Sequence, residues 1–453
     1  MPNNPILLFS ALRAAIPVAS PSIYIAYSGG VDSHVLLHAC TELIEFKGKI
    51  TAVYVHHGLQ AIAEDWAIHC QREAEKLGVN FQLLRVKAQA KNGESPEEAA
   101  RNARYQALQT LLDEKDVLLV AQHREDQLET VLLQLFRGAG VQGLAAMPKT
   151  MPFGKGQLLR PFLDVPKSAI LAYAQQFNLM WITDPTNACD DFDRNFLRNQ
   201  LIPLIKTRWT QVDKTVSRSA YHCAAAQDLL QDMAENLFAV VRTASPLKDW
   251  QSSLGQSLSI NRLKQFNQQK QQLIIRYWFK TLDLQMPSSA FIAAILTEVI
   301  EAKSSATPAL KKNGLVIRRY QDTLYCLKDL PGFKNLEGLI WQAIENKVIL
   351  PDNSVLERRP ADSGIPIALW QTATVTVRFR QGGEKIRLAG RNGQHRLKNL
   401  LHDAGIPPWQ RDTLPLIYFD DRLVAVANLW LSADVQSDCL EPCYQIEWFP
   451  GEC

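Results

Sequence analysis

The segment Ser28-Gly29-Gly30-Val31-Asp32-Ser33 constrains this 453-residue chain more than any other. It lies between an apolar run, Ile23–Tyr27, and a helix-like stretch, His34–Phe46. Two glycines let the backbone approach a phosphate closely, hydroxyls flank them, and a helix starting here points its positive end at the anion. No Gly-Lys-Ser/Thr ends the loop, so it is not a Walker A loop, and the lysine that reaches the β- and γ-phosphates there is absent. Asp32 suits a Mg2+-bound pyrophosphate instead. The plain alternative is an ordinary Gly-Gly turn; the strand–loop–helix context favours the phosphate reading.

Around this loop the first two hundred residues alternate strand and helix patterns. Ile50–Val55 reads as a strand, Ala63–Leu77 as a helix and Phe81–Val86 as a third strand. Ser95-Pro96-Glu97-Glu98 opens a helix, with the serine as cap and Glu98 at the capping-box position. Val117–Ala121 is a fourth strand and Asp126–Phe136 the helix after it. This alternation predicts an α/β domain: a Rossmann-like, doubly wound parallel sheet with helices on both faces. Ligands of such sheets sit at the carboxyl ends of the strands. From Val212 the pattern changes: 215–240 and 261–300 read as helices, and β signals stay sparse until Leu315–Leu327. Asn335–Trp370 is irregular. A small mixed α+β unit closes the chain, with β-rich Val375–Phe379 and Tyr418–Ala427 around helix-like Leu397–Asp403. The domains are placed at 1–210, 211–345 (mostly helical) and 370–450.

Composition excludes several classes. Lys and Arg number 49 against 46 Asp and Glu, a net +3, so the chain is no histone-like polycation and carries no acidic solvating tail. The eight cysteines are scattered and form no Cys-x-x-Cys, which disfavours a zinc ribbon, an iron–sulfur site and a disulfide scaffold. Residues 5–15 read as a short helix rather than a targeting signal, because Arg13, Pro17 and Pro21 interrupt the uncharged stretch. No run is long and apolar enough to span a membrane, so a cytoplasmic protein is expected.

Candidate site residues follow the strands. His56-His57-Gly58-Leu59 follows the second, and both histidines also fit a plain strand end. The fourth leads into Ala121-Gln122-His123-Arg124-Glu125-Asp126-Gln127-Leu128-Glu129, which puts His123 and Asp126 where ligands bind. Glu129 is one turn beyond Asp126 on the same helix face. Arg101 and Arg104 lie one turn apart on the capped helix, and Arg104 is favoured to stabilise the triphosphate or the leaving phosphates. Arg194 and Arg198 are spaced to touch one anionic group together, or to pair with Asp190, Asp191 or Asp193. Gly138, Gly140 and Gly143 fit G-x-G-x-x-G but follow a helix, so they form a glycine-rich loop and not a dinucleotide fingerprint. Between Arg378 and Arg411 eight basic residues oppose Glu384 and Asp403, an excess of +6 over 34 residues. Arg378, Arg380, Arg387, Arg391, Arg396 and Lys398 thus mark a nucleic-acid footprint, with a solvated basic face as the alternative.

The 28–33 loop resembles that of the PP-loop, or N-type, ATP pyrophosphatases, which cleave ATP between the α- and β-phosphates. The downstream motifs narrow this. Arg101-Asn102-Ala103-Arg104-Tyr105, the 121–130 segment, Arg137-Gly138-Ala139-Gly140, Arg194-Asn195-Phe196-Leu197-Arg198 and Pro407-Pro408-Trp409-Gln410-Arg411-Asp412 together are similar to the tRNA(Ile)-lysidine synthetase family. The resemblance covers most of the chain, most weakly 215–370. It implies ATP and Mg2+, L-lysine, and an isoleucine tRNA with a CAU anticodon. The reaction it implies is lysine ligation to carbon 2 of the wobble cytidine through an adenylated intermediate, with AMP and pyrophosphate released and reading changed from AUG to AUA. Ser28, Gly29, Gly30, Val31, Asp32 and Ser33 would then bind ATP, with Asp32 on the Mg2+. Asp32, Arg104, His123, Asp126 and Glu129 would be catalytic; which of the last three is base and which holds the ammonium stays open. The acceptor stem is a natural target for the basic C-terminal unit. A homodimer is left open. A thiolase of the same superfamily is weakened by the lack of paired cysteines. A tRNA-binding protein that merely retains the loop would bind without turning over ATP.

Overall fold

The computed structural model describes residues 4–56, 63–86, 96–185, 189–243, 256–303, 306–329, 338–342, 344–351 and 353–449. His57, Gly58, Leu59 and the expected cap Ser95 lie outside them. The chain forms two compact units, Met1–Leu230 and Gln231–Cys453.

Unit 1 begins with α1 (Asn4–Ala15), β1 (Ile23–Ala26), α2 (Val31–Thr41), β2 (Ile50–His56), α3 (Ala63–Lys76), β3 (Asn80–Arg85), α4 (Pro96–Gln109), β4 (Val117–Leu119) and α5 (Arg124–Phe136). It continues with α6 (Val141–Leu144), β5 (Thr150–Phe153), β6 (Gly156–Leu159), α7 (Lys167–Gln176), α8 (Asp193–Phe196), a π-helical turn at Leu197–Leu201, and α9 (Ile202–Arg208). The 30-residue α10 (Val212–Val241) holds the division between the units. The sheet order is β3-β2-β1-β4-β6-β5, parallel except for β5, which returns antiparallel to β6. The Rossmann-like reading of the N-terminal half is correct. The β5–β6 hairpin is the addition, for which the sequence pattern named no strand: Gly154 and Gly156 pack where an added Cβ would strike the carbonyls of Gln109 and Asp116.

The strand order puts the functional loops side by side. β1 is central and pairs with β2 on one side and β4 on the other, so connections leave it in both directions. The loops after β1 and β4 therefore open at the switch point of the sheet. α2 is buried almost all round through Val35, Leu36, Leu37, Ala39 and Cys40, which makes it a core helix rather than an amphipathic surface one. Each such Leu or Val contributes about 1.5–3 kcal/mol on burial, so the helix that begins at the glycine loop is rigidly held.

Unit 2 carries β7 (Arg242–Thr243), β8 (Ser257–Ser259), α11 (Ile260–Leu263), α12 (Gln268–Thr281), α13 (Ser289–Ala294), a second π-helical turn at Ile295–Ile300, β9 (Ala309–Lys312), β10 (Leu315–Tyr320) and β11 (Thr323–Lys328). The helices pack through Trp278, Phe279 and Ile295 onto a sheet of order β7-β8-β11-β10-β9, and the β signal at Leu315–Leu327 is a hairpin of two strands. The following segment forms β12 (Leu339–Ile340), β13 (Lys347–Ile349), β14 (Val355–Pro366) and α14 (Ile367–Thr372). The last part forms β15 (Val375–Arg378), β16 (Lys385–Arg387), β17 (Gln394–Arg396), α15 (Leu397–Asp403), α16 (Pro408–Arg411), β18 (Leu416–Phe419), β19 (Arg422–Val426), β20 (Trp430–Leu431) and β21 (Ser437–Phe449). Its sheets are β12-β15-β18-β19-β20, β13-β14-β21 and β16-β17, around a core with Trp341 and Trp370. No described helix is long and apolar enough to cross a membrane.

Candidate active site

Gly29 stands at φ +78°, and a Cβ there would meet Ile182 Cδ1 at 2.6 Å and Cys70 Sγ at 2.9 Å. Only glycine fits, both for the left-handed backbone and for the close approach. The Gly29 carbonyl accepts from the Ile182 amide at 2.9 Å, which ties the loop to the chain beyond α7. Ser33 Oγ donates to the Gly30 carbonyl at 2.9 Å, and the Ser28 amide donates to Ser33 Oγ at 3.2 Å. The loop is thus set by its own serines at the start of α2. Behind it, Tyr27 Oη meets His34 Nδ1 at 3.1 Å. Burial pushes the His34 pKa down to about 4.

Asp32, in the first turn of α2, faces the loop after β4. Its Oδ1 lies 3.8 Å from His123 Nε2. The same Nε2 is 3.4 Å from Asp126 Oδ2, and Nδ1 is 3.4 Å from Glu125 Oε2. Asp126 also accepts the His123 backbone N–H at 2.9 Å, which starts α5 with a reciprocal cap. Burial of the His123 ring pulls its pKa down, but Glu125, Asp126 and Asp32 together outweigh that and hold it above the ordinary value. Glu125 is held at about 2: burial raises its pKa, and bonds from His123 and from the Lys167 amide more than offset that.

Glu129, one turn on, is 2% exposed as a side chain. Its carboxylate accepts from Arg194 Nε at 2.8 Å and from Arg198 Nε and Nη2 at 2.7 and 2.9 Å. Arg198 Nη2 reaches Asp126 Oδ1 at 3.4 Å as well. The two arginines therefore pair with α5 and not with the neighbouring aspartates: Asp190 instead accepts from Asn199 and Gln200, each at 2.8 Å. They come from α8 and the π-helical turn, about 65 residues beyond their partner in sequence.

Of the catalytic candidates, the structure gathers Asp32, His123, Asp126 and Glu129, and adds Arg194 and Arg198. Arg104 stands on α4 within electrostatic reach of Tyr54 on β2. Arg101 covers the Tyr105 ring at 5.3 Å, and His56 Nε2 lies 3.5 Å from Glu64 Oε2. Gly138 and Gly140 lie in the turn between α5 and α6, and Gly143 lies within α6. Sequence reasoning missed Lys167, whose Nζ pairs with Asp32 Oδ1, and Glu125, which accepts the Lys167 amide at 2.9 Å. Lys167 follows β6, the parallel neighbour of β4. The rule that ligands meet strand carboxyl ends finds it once β6 is seen as a strand.

The basic C-terminal residues fall into two groups. Arg378, Arg380 and Arg387 pair with Asp421, Asp412 and Asp434, at 3.0, 3.4 and 3.3 Å. These aspartates lie beyond the basic window in sequence and are brought back by α16 and the strands after it, so the excess of +6 overstates the local field. Arg411 is buried, donating to the Ile406 carbonyl at 2.7 Å and to Tyr320 Oη at 3.1 Å. Arg391, Arg396 and Lys398 are exposed on and around β17 and α15, with no ion pair among the described residues.

Residues 9–205 match the PP-loop domain model, 258–325 the TilS substrate binding domain, and 375–448 the TilS substrate C-terminal domain. The tRNA(Ile)-lysidine synthase of Methylococcus capsulatus is 37% identical over 447 residues, covering 98% of this chain and 100% of the relative. That of Coxiella burnetii is 39% identical, covering 89% and 88%. That of Vibrio cholerae is 38% identical, covering 94% of each.

Proposed function

This chain belongs to the tRNA(Ile)-lysidine synthase family, and from that premise we propose how its residues divide the work. It is an ATP-dependent ligase that joins L-lysine to carbon 2 of a tRNA wobble cytidine through an adenylated intermediate, releasing AMP and pyrophosphate. The observation that carries the residue assignment is the convergence of Asp32, in the first turn of the helix after β1, and Asp126, in the first turn of the helix after β4, on one His123 nitrogen.

ATP lies with its phosphates on residues 28–33, where the amides and the start of α2 supply positive potential. Asp32 offers a hard carboxylate oxygen at the loop, partly open to solvent, which fits Mg2+: that ion takes one or two carboxylates and completes its shell with phosphates and water. When bound there, Mg2+ neutralises charge on the departing pyrophosphate. The cytidine oxygen on carbon 2 attacks the α-phosphorus, pyrophosphate leaves, and a poor leaving oxygen becomes part of AMP. The lysine ε-amine then attacks carbon 2, AMP departs, and the amine gives up a proton.

Glu129 has both oxygens occupied by Arg194 and Arg198, so its role is to clamp the segment that begins at α8 against α5. Asp126, whose Oδ1 meets Arg198 and Arg194 only at 3.4 and 3.6 Å, is the more loosely held carboxylate and is assigned to hold the lysine ammonium and take its proton, with the His123 amide keeping it oriented. Arg104 meets the phosphates from α4. Arg194 and Arg198 contact RNA only at the edge of their carboxylate clamp, whereas Arg391, Arg396 and Lys398 contact tRNA phosphate directly. The three regions matched separately act as a catalytic domain, a substrate-contacting domain and a basic C-terminal domain in the cytoplasm. The substrate is the CAU-anticodon isoleucine tRNA; because unmodified methionine tRNA shares that anticodon, discrimination rests on the acceptor stem.

The test is incubation with tRNA, ATP and labelled lysine. ATP-dependent label in isoleucine tRNA, moved to methionine tRNA by exchanging acceptor-stem pairs, is expected. Label in a bare anticodon hairpin at the full-length rate would defeat the acceptor-stem reading, and no label at all would defeat the ligase reading.

A further inference from the structure

The 28–33 loop has no lysine of its own, yet a nucleotide triphosphate brings about four negative charges. Among the described residues near the loop, most cations are already committed. Arg194 and Arg198 are held by Glu129, and Lys206 Nζ lies 3.3 Å from Glu125 Oε1. Lys167 is different. Its ammonium pairs with Asp32, the carboxylate the loop needs for another purpose once nucleotide binds. Building on the nucleotide reading above, we propose that Lys167 is the phosphate lysine of this site: it neutralises Asp32 in the ligand-free chain and transfers to the β- and γ-phosphates when ATP enters.

Three features support the transfer. The Lys167 backbone is fixed at the first turn of α7: its amide is accepted by Glu125 at 2.9 Å, and the Val165 carbonyl accepts from the Arg124 amide at 3.1 Å. Only the four-carbon stem has to move, and it moves from a rigid base. The pair is also open at the mouth, with Lys167 29% and Asp32 31% exposed, so water screens the two charges and separating them costs little. Finally, a triphosphate offers more charge and more acceptor oxygens than one carboxylate, so it outcompetes Asp32 for the ammonium. Lys167 thus supplies, from the first turn of the helix after β6, what a Walker A loop supplies from within. The exchange leaves Asp32 free for a metal ion only when phosphate is present to take its partner.

The experiment is equilibrium binding of a non-hydrolysable α,β-methylene ATP, of AMP and of pyrophosphate to the full chain and to Lys167→Met and Lys167→Arg. Lys167→Met is expected to weaken the ATP analogue and pyrophosphate ~10-fold or more, as loss of a charge-assisted phosphate contact does, and to leave AMP within about twofold. Lys167→Arg, which keeps the charge, is expected to restore most of the loss with an unchanged thermal midpoint. In an Asp32→Asn background without Mg2+, Lys167→Met should still weaken pyrophosphate. Equal losses for AMP and the ATP analogue, or no effect of Lys167→Met in that background, would show that the lysine only braces Asp32, and the inference fails while the ligase reading stands. A wild-type chain that binds neither AMP nor the analogue would overturn the nucleotide site itself.

Discussion

Glu129→Gln isolates the clamp on α5 because it removes a charge and almost no volume. The native carboxylate accepts three guanidinium N–H bonds of 2.7 to 2.9 Å from Arg194 and Arg198, and its side chain is only 2% exposed. A glutamine leaves one acceptor and turns an NH2 group toward donors that already point at it. Breaking a fully buried ion pair costs about 3–5 kcal/mol. Arg194 and Arg198 are 27% and 41% exposed, so they recover part of their hydration, and a net loss of about 2–3 kcal/mol is expected. For a unit the size of Met1–Leu230 that corresponds to a fall of about 4–12 °C in the unfolding midpoint. Scanning calorimetry on the full chain measures it. Adding Arg198→Ala to Glu129→Gln should cost less than the sum of the two single changes, since both break one network. A midpoint shift below about 1 °C, or strict additivity, would refute a structural clamp, because 1 kcal/mol alone moves a unit of this size by more.

Other expected outcomes follow from the same geometry. Asp32→Asn should lower turnover by at least about 100-fold with little change in tRNA affinity, measured by steady-state kinetics and filter binding. Arg391→Ala and Lys398→Ala should each flatten the slope of log binding constant against log salt by somewhat under one, whereas Arg411→Ala, which loses the Ile406 and Tyr320 bonds, should instead lower the unfolding midpoint. His34 is neutral in the folded chain and titrates near 6.5 when unfolded, so the unfolded state takes up the proton first. Stability should fall as pH drops from 6.5 through about 4, by about 3 kcal/mol in all, and His34→Gln should flatten that limb in denaturant titrations.

The parts legible in sequence are those set by local pattern. The glycine loop, the strand–helix alternation to α5 and the helix at Leu397–Asp403 all lie where periodicity and turn residues put them. The parts that escaped depend on distant pairing. β5 and β6 are short, and Met151-Pro152-Phe153-Gly154-Lys155-Gly156 looks like a turn; with the hairpin unseen, Lys167 had no strand end to follow. β14 contains Pro360, Asp362 and Gly364, a composition that reads as irregular. It is nonetheless a 12-residue strand, bulged against β21 at Ala361/Ser363 and Gly364/Ile365. Gly364, at φ +141°, lies where a Cβ would be 2.4 Å from the Tyr444 carbonyl oxygen. Likewise Arg194 and Arg198 have aspartates close in sequence, and no local rule points to Glu129.

The central claim is that one site couples α,β-cleavage of ATP to attachment of lysine on a tRNA base. It is tested most directly by running ATP labelled in the adenosine together with labelled lysine and unmodified CAU isoleucine tRNA, and separating nucleotides and RNA. One AMP and one pyrophosphate per lysine in tRNA, with no nucleotide product when tRNA is withheld, is the result this account predicts. ADP and phosphate as products, or AMP formed without lysine entering tRNA, would contradict it.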